Sequence, residues 1–196
     1  MNKYNPNIHH RRSIRLKGYD YSKAGAYFIT ICSENRICRL GNIAVGAGLA
    51  PAQMILNEFG QIAHNEWMKL LERFTNFELD VFQIMPNHIH GIIVLNTVGA
   101  TLAVSQNDSD ENNISGLDNS AGASPAPTVS DIVGAYKSLV ANGCLDIYKS
   151  RNQTMGKLWQ RNYYEHIIRN EQSYHTISNY IVNNPAKWND DKFYTK

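Results

Sequence analysis

Between Met85 and Leu95 the chain reads Met-Pro-Asn-His-Ile-His-Gly-Ile-Ile-Val-Leu, and this stretch leaves the backbone few choices. The apolar run after Gly91 is a strand pattern. Side chains alternate faces along a strand, so His88 and His90 point to one side and Ile89 to the other. Two imidazoles side by side are half of a divalent-metal site. The apolar residues that follow anchor them on a rigid element, as precise chemistry needs. A histidine pair that only decorates a strand is the plainer alternative, and spacing alone does not separate the two.

The rest of the pattern surrounds that strand with a small α+β domain. Residues 26–32 alternate and are rich in aromatic and β-branched side chains, a first strand. Residues 39–56 read as a strand-loop-strand excursion with a Gly/Ala/Pro tip. Residues 57–74 place Phe59, Ile62, Ala63, Trp67, Leu70 and Leu71 at helical spacing. Residues 77–85 and 88–95 form two strands joined at Pro86 and Asn87, a hairpin. Residues 130–150 make a second helix on Ile132, Val133, Tyr136, Leu139 and Val140, opened by a plausible cap. Residues 170–185 make a third, with Tyr174, Ile177 and Ile181 in register and Pro185 as its end, because proline pushes the preceding residue out of the helical region. Strand, helix, two strands, helix fits a ferredoxin-like (RRM-like) antiparallel sheet with helices on one face. We expect one domain over residues 1–196, with a basic arm at 1–24 and an acidic, Gly/Ser/Ala-rich loop at 96–129 that is expected to be disordered.

At 196 residues and 43% hydrophobic, the chain can bury one core. No run of 18 apolar residues suggests a membrane span, and the first residues lack the apolar core of a signal peptide. Cys32, Cys38 and Cys144 have no CxxC spacing, which fits reduced thiols in the cytoplasm rather than a zinc ribbon or disulfide framework. Formal charge is +2, but it is unevenly spread. Residues 1–40 hold eight Lys/Arg against two acids, and residues 96–131 hold five acids and no Lys or Arg, so the body outside that loop carries +7. A basic body suits a polyanionic partner, although an ordinary solvated surface has the same look. Two loop stretches, 45–53 and 98–106, agree at six of nine positions. They are read as small-residue loop filler, a local duplication, or translated insertions of short mobile DNA, since loops tolerate insertions at little thermodynamic cost. No Walker A loop is present.

Tyr180 and Asn184 are four residues apart and so project from one face of the C-terminal helix. A phenol and a carboxamide oxygen on one face can meet the same metal-bound phosphate, although such a tyrosine is more often half-buried packing.

In order, Arg12-Ser13-Ile14-Arg15-Leu16-Lys17-Gly18-Tyr19, Gly25-Ala26-Tyr27-Phe28-Ile29-Thr30, Met85-Pro86-Asn87-His88-Ile89-His90, Leu158-Trp159-Gln160-Arg161, His166-Ile167-Ile168-Arg169-Asn170 and Tyr180-Ile181-Val182-Asn183-Asn184-Pro185 resemble the REP-associated tyrosine transposases of bacteria, a branch of the single-tyrosine HUH transposases. The resemblance thins at about 41–53 and 96–128. It implies cleavage and rejoining of single-stranded DNA at palindromic hairpins through a 5′-phosphotyrosine, with Mg²⁺ or Mn²⁺ as cofactor, in a bacterial cytoplasm, by a monomer or homodimer. Carried over by position, His88 and His90 are the metal histidines and Tyr180 the nucleophile. Asn184 falls where relatives place a glutamine or asparagine that completes the metal site.

Tyr163 and Tyr164 compete as the reactive pair and are read instead as core or base-stacking aromatics. His166 is read as an ordinary hydrogen-bonded histidine, with an extra ligand or phosphate contact as the alternative. Arg11, Arg12, Arg15 and Lys17, interleaved with aromatics on the arm, together with Lys137, Arg161 and Arg169, are the expected DNA contacts. Three readings stand: the DNA-joining transposase, a nucleic-acid-binding module without chemistry, and a metal-dependent nuclease that uses water.

Overall fold

The structure is a computed structural model and describes residues 23–44, 52–96 and 127–194. The arm cations Arg11, Arg12, Arg15 and Lys17, nearly all of the acidic loop and most of the repeated segments lie outside the described residues.

Four strands make one antiparallel sheet: β1 (Gly25–Cys32), β4 (Phe77–Ile84), β5 (His88–Leu95) and β6 (Tyr164–Ile168), in the order β4-β5-β1-β6. This is the ferredoxin-like arrangement, with β1 and β5 in the middle. A separate hairpin of β2 (Gly41–Ala44) and β3 (Gln53–Leu56) forms the excursion expected between residues 39 and 56. The helices are α1 (Glu58–Met68), α2 (Leu70–Arg73), α3 (Val129–Ser150) and α4 (Glu171–Asn183). The single helix expected over 57–74 breaks at Lys69 into α1 and one short further turn.

Local chemistry sets the helix starts. Asn57 accepts from the backbone N–H groups of Phe59 and Gly60, Thr128 and Asp131 form a reciprocal capping box, and Asn170 accepts from Ser173. Alternation then assigns the two sheet faces. Tyr27, Ile29, Ile31, Ile89 and Ile93 are fully buried against α1 and α3. Trp67 lies across Gly91, where an added Cβ would meet its ring at 2.6 Å, and packs on Phe82 and Tyr136. Glycine at 91 is therefore a requirement of close approach.

The opposite face carries Phe28, Thr30, His88 and His90, and α4 crosses it, touching β4, β5 and β6. Tyr174 on α4 donates to the Asp80 carboxylate on β4, where the strand has a bulge. Two further features differ from the sequence reading. The strand β6 was not anticipated, because its five residues show no clean alternation. Asn184, expected to leave the helical region ahead of Pro185, keeps helical angles (φ −59°, ψ −41°), and the chain runs on into a 3₁₀ turn, Pro185–Asp190. Proline is acceptable at the first position of that turn because its missing N–H has no partner to lose.

Candidate active site

His88 and His90 are fully buried, with their Nε2 atoms 3.0 Å apart. The hydrogen bonds behind them fix how they present those atoms. The Asn87 amide nitrogen donates to the carbonyls of Arg36 (3.0 Å) and Phe193 (2.8 Å). Its oxygen is thus an acceptor only, and the His88 Nδ1 at 2.8 Å must carry a proton and donate to it. That leaves His88 Nε2 unprotonated, an acceptor facing His90 Nε2. His90 Nδ1 lies 2.8 Å from Thr30 Oγ1, a hydroxyl that can accept or donate to suit either tautomer. Such outer partners orient imidazole ligands. Arg36, whose carbonyl holds Asn87, has a left-handed backbone (φ 55°), as does Asn35 (φ 54°), a conformation that side chains other than glycine rarely adopt.

Helix α4 brings Tyr180 to the pair. The phenol oxygen is 3.1 Å from His90 Nε2 and donates to Asp191 Oδ2 at 3.0 Å. The Asn184 amide donates to the same Asp191 oxygen at 2.7 Å, and its own Oδ1 is buried with no hydrogen-bond partner among the described residues. Phe193 lies against both imidazoles, with Arg36 and Lys192 over its ring.

Burial sets the electrostatics. It pushes His88 down to about 4, although the Asp191 carboxylate pulls the other way. It also holds His90 well below the ordinary histidine range, helped by His88 and Lys192. Both imidazoles are therefore neutral at pH 7. Burial, then the Asp191 carboxylate, push the Tyr180 phenol above its usual range.

His88, His90 and Asp191 form a group whose ligand atoms lie within 4.8 Å of one another and can hold a metal ion. The residues fit such an ion. Two nitrogens bound to one ion at about 2.1 Å and a right angle stand about 3 Å apart, and the Asn184 oxygen is a buried acceptor with no donor among the described residues. Mixed imidazole, carboxylate and amide donors suit a first-row or hard divalent ion. Asp191 was not anticipated. It reaches the site only because the chain continues past Pro185 through the 3₁₀ turn, and nothing in its neighbours marks it.

The remaining expected residues are spread around this centre. Lys137 donates through Nζ to the carbonyls of Gln160 (2.7 Å) and Arg161 (3.0 Å), so its charge holds the approach to β6. Arg161 and Arg169 are exposed near the two ends of β6. His166 is exposed on the site face but outside the His88–His90 cluster. Tyr163 packs against the core and bonds Ser130 and Glu165, whereas Tyr164 is exposed. No helix among the described residues is long and apolar enough to cross a membrane.

No protein-family model matches the chain. An uncharacterised protein of Haemophilus influenzae is 39% identical over 197 residues, spanning 98% of this chain and 97% of its own. Among solved structures, a REP-associated tyrosine transposase bound to a REP hairpin superposes with a TM-score of 0.53 at 21% identity, over 98% of this chain and 77% of that one. That likeness is one of fold.

Proposed function

This chain belongs to one family with the uncharacterised Haemophilus influenzae protein and has the fold of a REP-associated tyrosine transposase, and from that premise we propose that it is a metal-dependent transposase that cleaves and rejoins single-stranded DNA at palindromic repeat hairpins. The observation that supports this reading most is the Tyr180 phenol, held 3.1 Å from the His90 nitrogen and 3.0 Å from Asp191, beside the imidazole of His88. A tyrosine that served only packing would have no reason to bring its oxygen to a buried histidine pair.

In this reading His88, His90 and the free oxygen of Asn184 hold Mg²⁺ or Mn²⁺. The ion's chemistry there is to polarise the scissile phosphate and neutralise the charge that develops on it. Tyr180 supplies the nucleophile. Its oxygen forms a bond to phosphorus as the bond from phosphorus to the 3′-oxygen breaks, leaving a 5′-phosphotyrosine and a free 3′-hydroxyl. Asp191 already accepts the phenol's hydrogen bond and is the group placed to take its proton. Attack by a 3′-hydroxyl on the phosphotyrosine restores the phosphodiester and the phenol, so no nucleotide cofactor is consumed. Arg161 and Arg169, with the arm cations Arg11, Arg12, Arg15 and Lys17, contribute phosphate contacts.

The test is a denaturing gel for a covalent protein–DNA adduct, using end-labelled hairpins from repeats flanking the coding region with Mn²⁺ or Mg²⁺. The expected result is a metal-dependent adduct that is lost in Tyr180→Phe and kept in Tyr163→Phe. Cleavage that survives Tyr180→Phe without an adduct would replace this reading with a water-using nuclease. Binding with no cleavage on any hairpin would replace it with a module that lacks chemistry.

A further inference from the structure

The tyrosine pair at 163–164 divides its labour. Tyr163 faces α3, where it packs on the core and bonds Ser130 Oγ and Glu165. Tyr164 faces the other way. It is paired with Thr30 across β1–β6, so it shares the face that carries His88, His90 and Tyr180. The residue is 46% exposed. A large aromatic held this way on the edge strand of a sheet does little for the core. It is also close to the chemistry. Tyr164 sits 5.7 Å from the Phe193 ring, which itself lies 4.8 Å from His88. Two residues on, His166 is exposed on the same face opposite Phe28, and Phe28 touches His90 and Tyr180.

Beside Tyr164 the chain forms a cleft of about 260 Å³ lined by Gln160, Arg161, Asn162, Tyr163 and Tyr164. Its floor is fixed, because Lys137 clamps the carbonyls of Gln160 and Arg161 while the Gln160 N–H donates to Cys32. The Arg161 side chain remains exposed at its rim. One cation, two carboxamides and an open aromatic face match a nucleotide: a phosphate for the guanidinium, a base plane for the ring, base edges for the amides.

We propose that this cleft is a nucleotide subsite in which Tyr164 stacks on one unpaired base of the strand entering the Tyr180 centre while Arg161 holds that nucleotide's phosphate. The inference rests on the single-stranded DNA reading of the site and adds to it the residues that grip the strand next to the cut.

The experiment uses the full chain and a twelve-nucleotide oligo(dT) with 2-aminopurine at its centre and a dye at one end. Anisotropy of the dye reads binding, and 2-aminopurine emission reads stacking. We expect wild type and Tyr164→Phe to quench the base. Tyr164→Ala should lose the quench and bind roughly 5- to 150-fold more weakly, the span of one stacked base. Arg161→Gln should bind more weakly and lower the slope of affinity against salt by about one. Binding by wild type with no quench, or an equal quench in Tyr164→Ala, would overturn the subsite, while the Tyr180 adduct, assayed separately, would leave the transposase reading standing. Absence of any strand binding together with absence of the adduct would overturn both.

Discussion

At the scale of the residue, the site depends on side chains set behind the histidines. Thr30 is 2% exposed and its hydroxyl bonds His90 Nδ1 at 2.8 Å. Thr30→Val keeps the shape and removes the hydrogen bond. Outer partners of this kind are worth roughly 10- to 100-fold in metal affinity. Titration calorimetry with Mn²⁺ should show a loss in that range at near-native stability, and an unchanged affinity would mean that Thr30 does not orient the ligand. Asp191 and Asn184 separate by the same measurement combined with the adduct assay. Asn184→Ala removes the free amide oxygen and should lower Mn²⁺ affinity. Asp191→Asn keeps an acceptor for the phenol but not the base. It should slow adduct formation by about 10²- to 10⁴-fold, the usual range for a lost general base, with metal affinity falling far less than in Asn184→Ala. If Asp191→Asn instead abolishes Mn²⁺ binding, the carboxylate is a ligand first.

At the scale of the element, β5 serves two layers at once. Its even face presents His88 and His90, and its odd face receives the Trp67 ring at Gly91, directly behind His90. Gly91→Ala would drive a methyl to 2.6 Å from that ring, which is itself confined by Phe82 and Tyr136. Overpacking of this kind costs about 1–3 kcal/mol. Urea unfolding should report it, and Trp67→Phe in the same chain should recover part of it. If the double variant is no better than Gly91→Ala, the strain lies elsewhere. The same strand shows what could be read from sequence. Alternation sets which way His88, Ile89 and His90 point, so both the hairpin and the histidine face were legible, as was helical spacing in α1, α3 and α4. The strand β6 was not, because an edge strand of five residues with one exposed and one half-buried face has no strong period. Asp191 was not legible because its position depends on Asn184 staying helical ahead of Pro185, against the local preference, so that the 3₁₀ turn can bring the chain back over β5. Local rules foresee the element and miss a tertiary override.

For the molecule as a whole, two buried neutral histidines make folding pH-dependent. Burial lowers His88 to about 4, against about 6.5 in an unfolded chain. Between those values the unfolded state binds the proton and the folded state does not. Stability is therefore complete above about pH 6.5 and is lost as pH falls toward 4, with His90 adding in the same direction. In metal-free protein the loss should reach the order of a few kcal/mol, seen as a falling unfolding midpoint between pH 7 and 5. A flat midpoint across that interval would show that burial does not hold the imidazoles neutral. Adding Mn²⁺ changes the curve in a defined way. An ion held by the neutral imidazoles of the folded chain would contribute about 2.7 kcal/mol at a hundred times its dissociation constant. For a chain of this size that raises the midpoint by roughly 5–10 °C. Because bound imidazoles must stay deprotonated, this gain should itself shrink as the solution is acidified, so the curves with and without Mn²⁺ converge at low pH. In His88→Ala the Mn²⁺-dependent rise should vanish at every pH. A rise that survives in His88→Ala would place the ion away from the histidine pair.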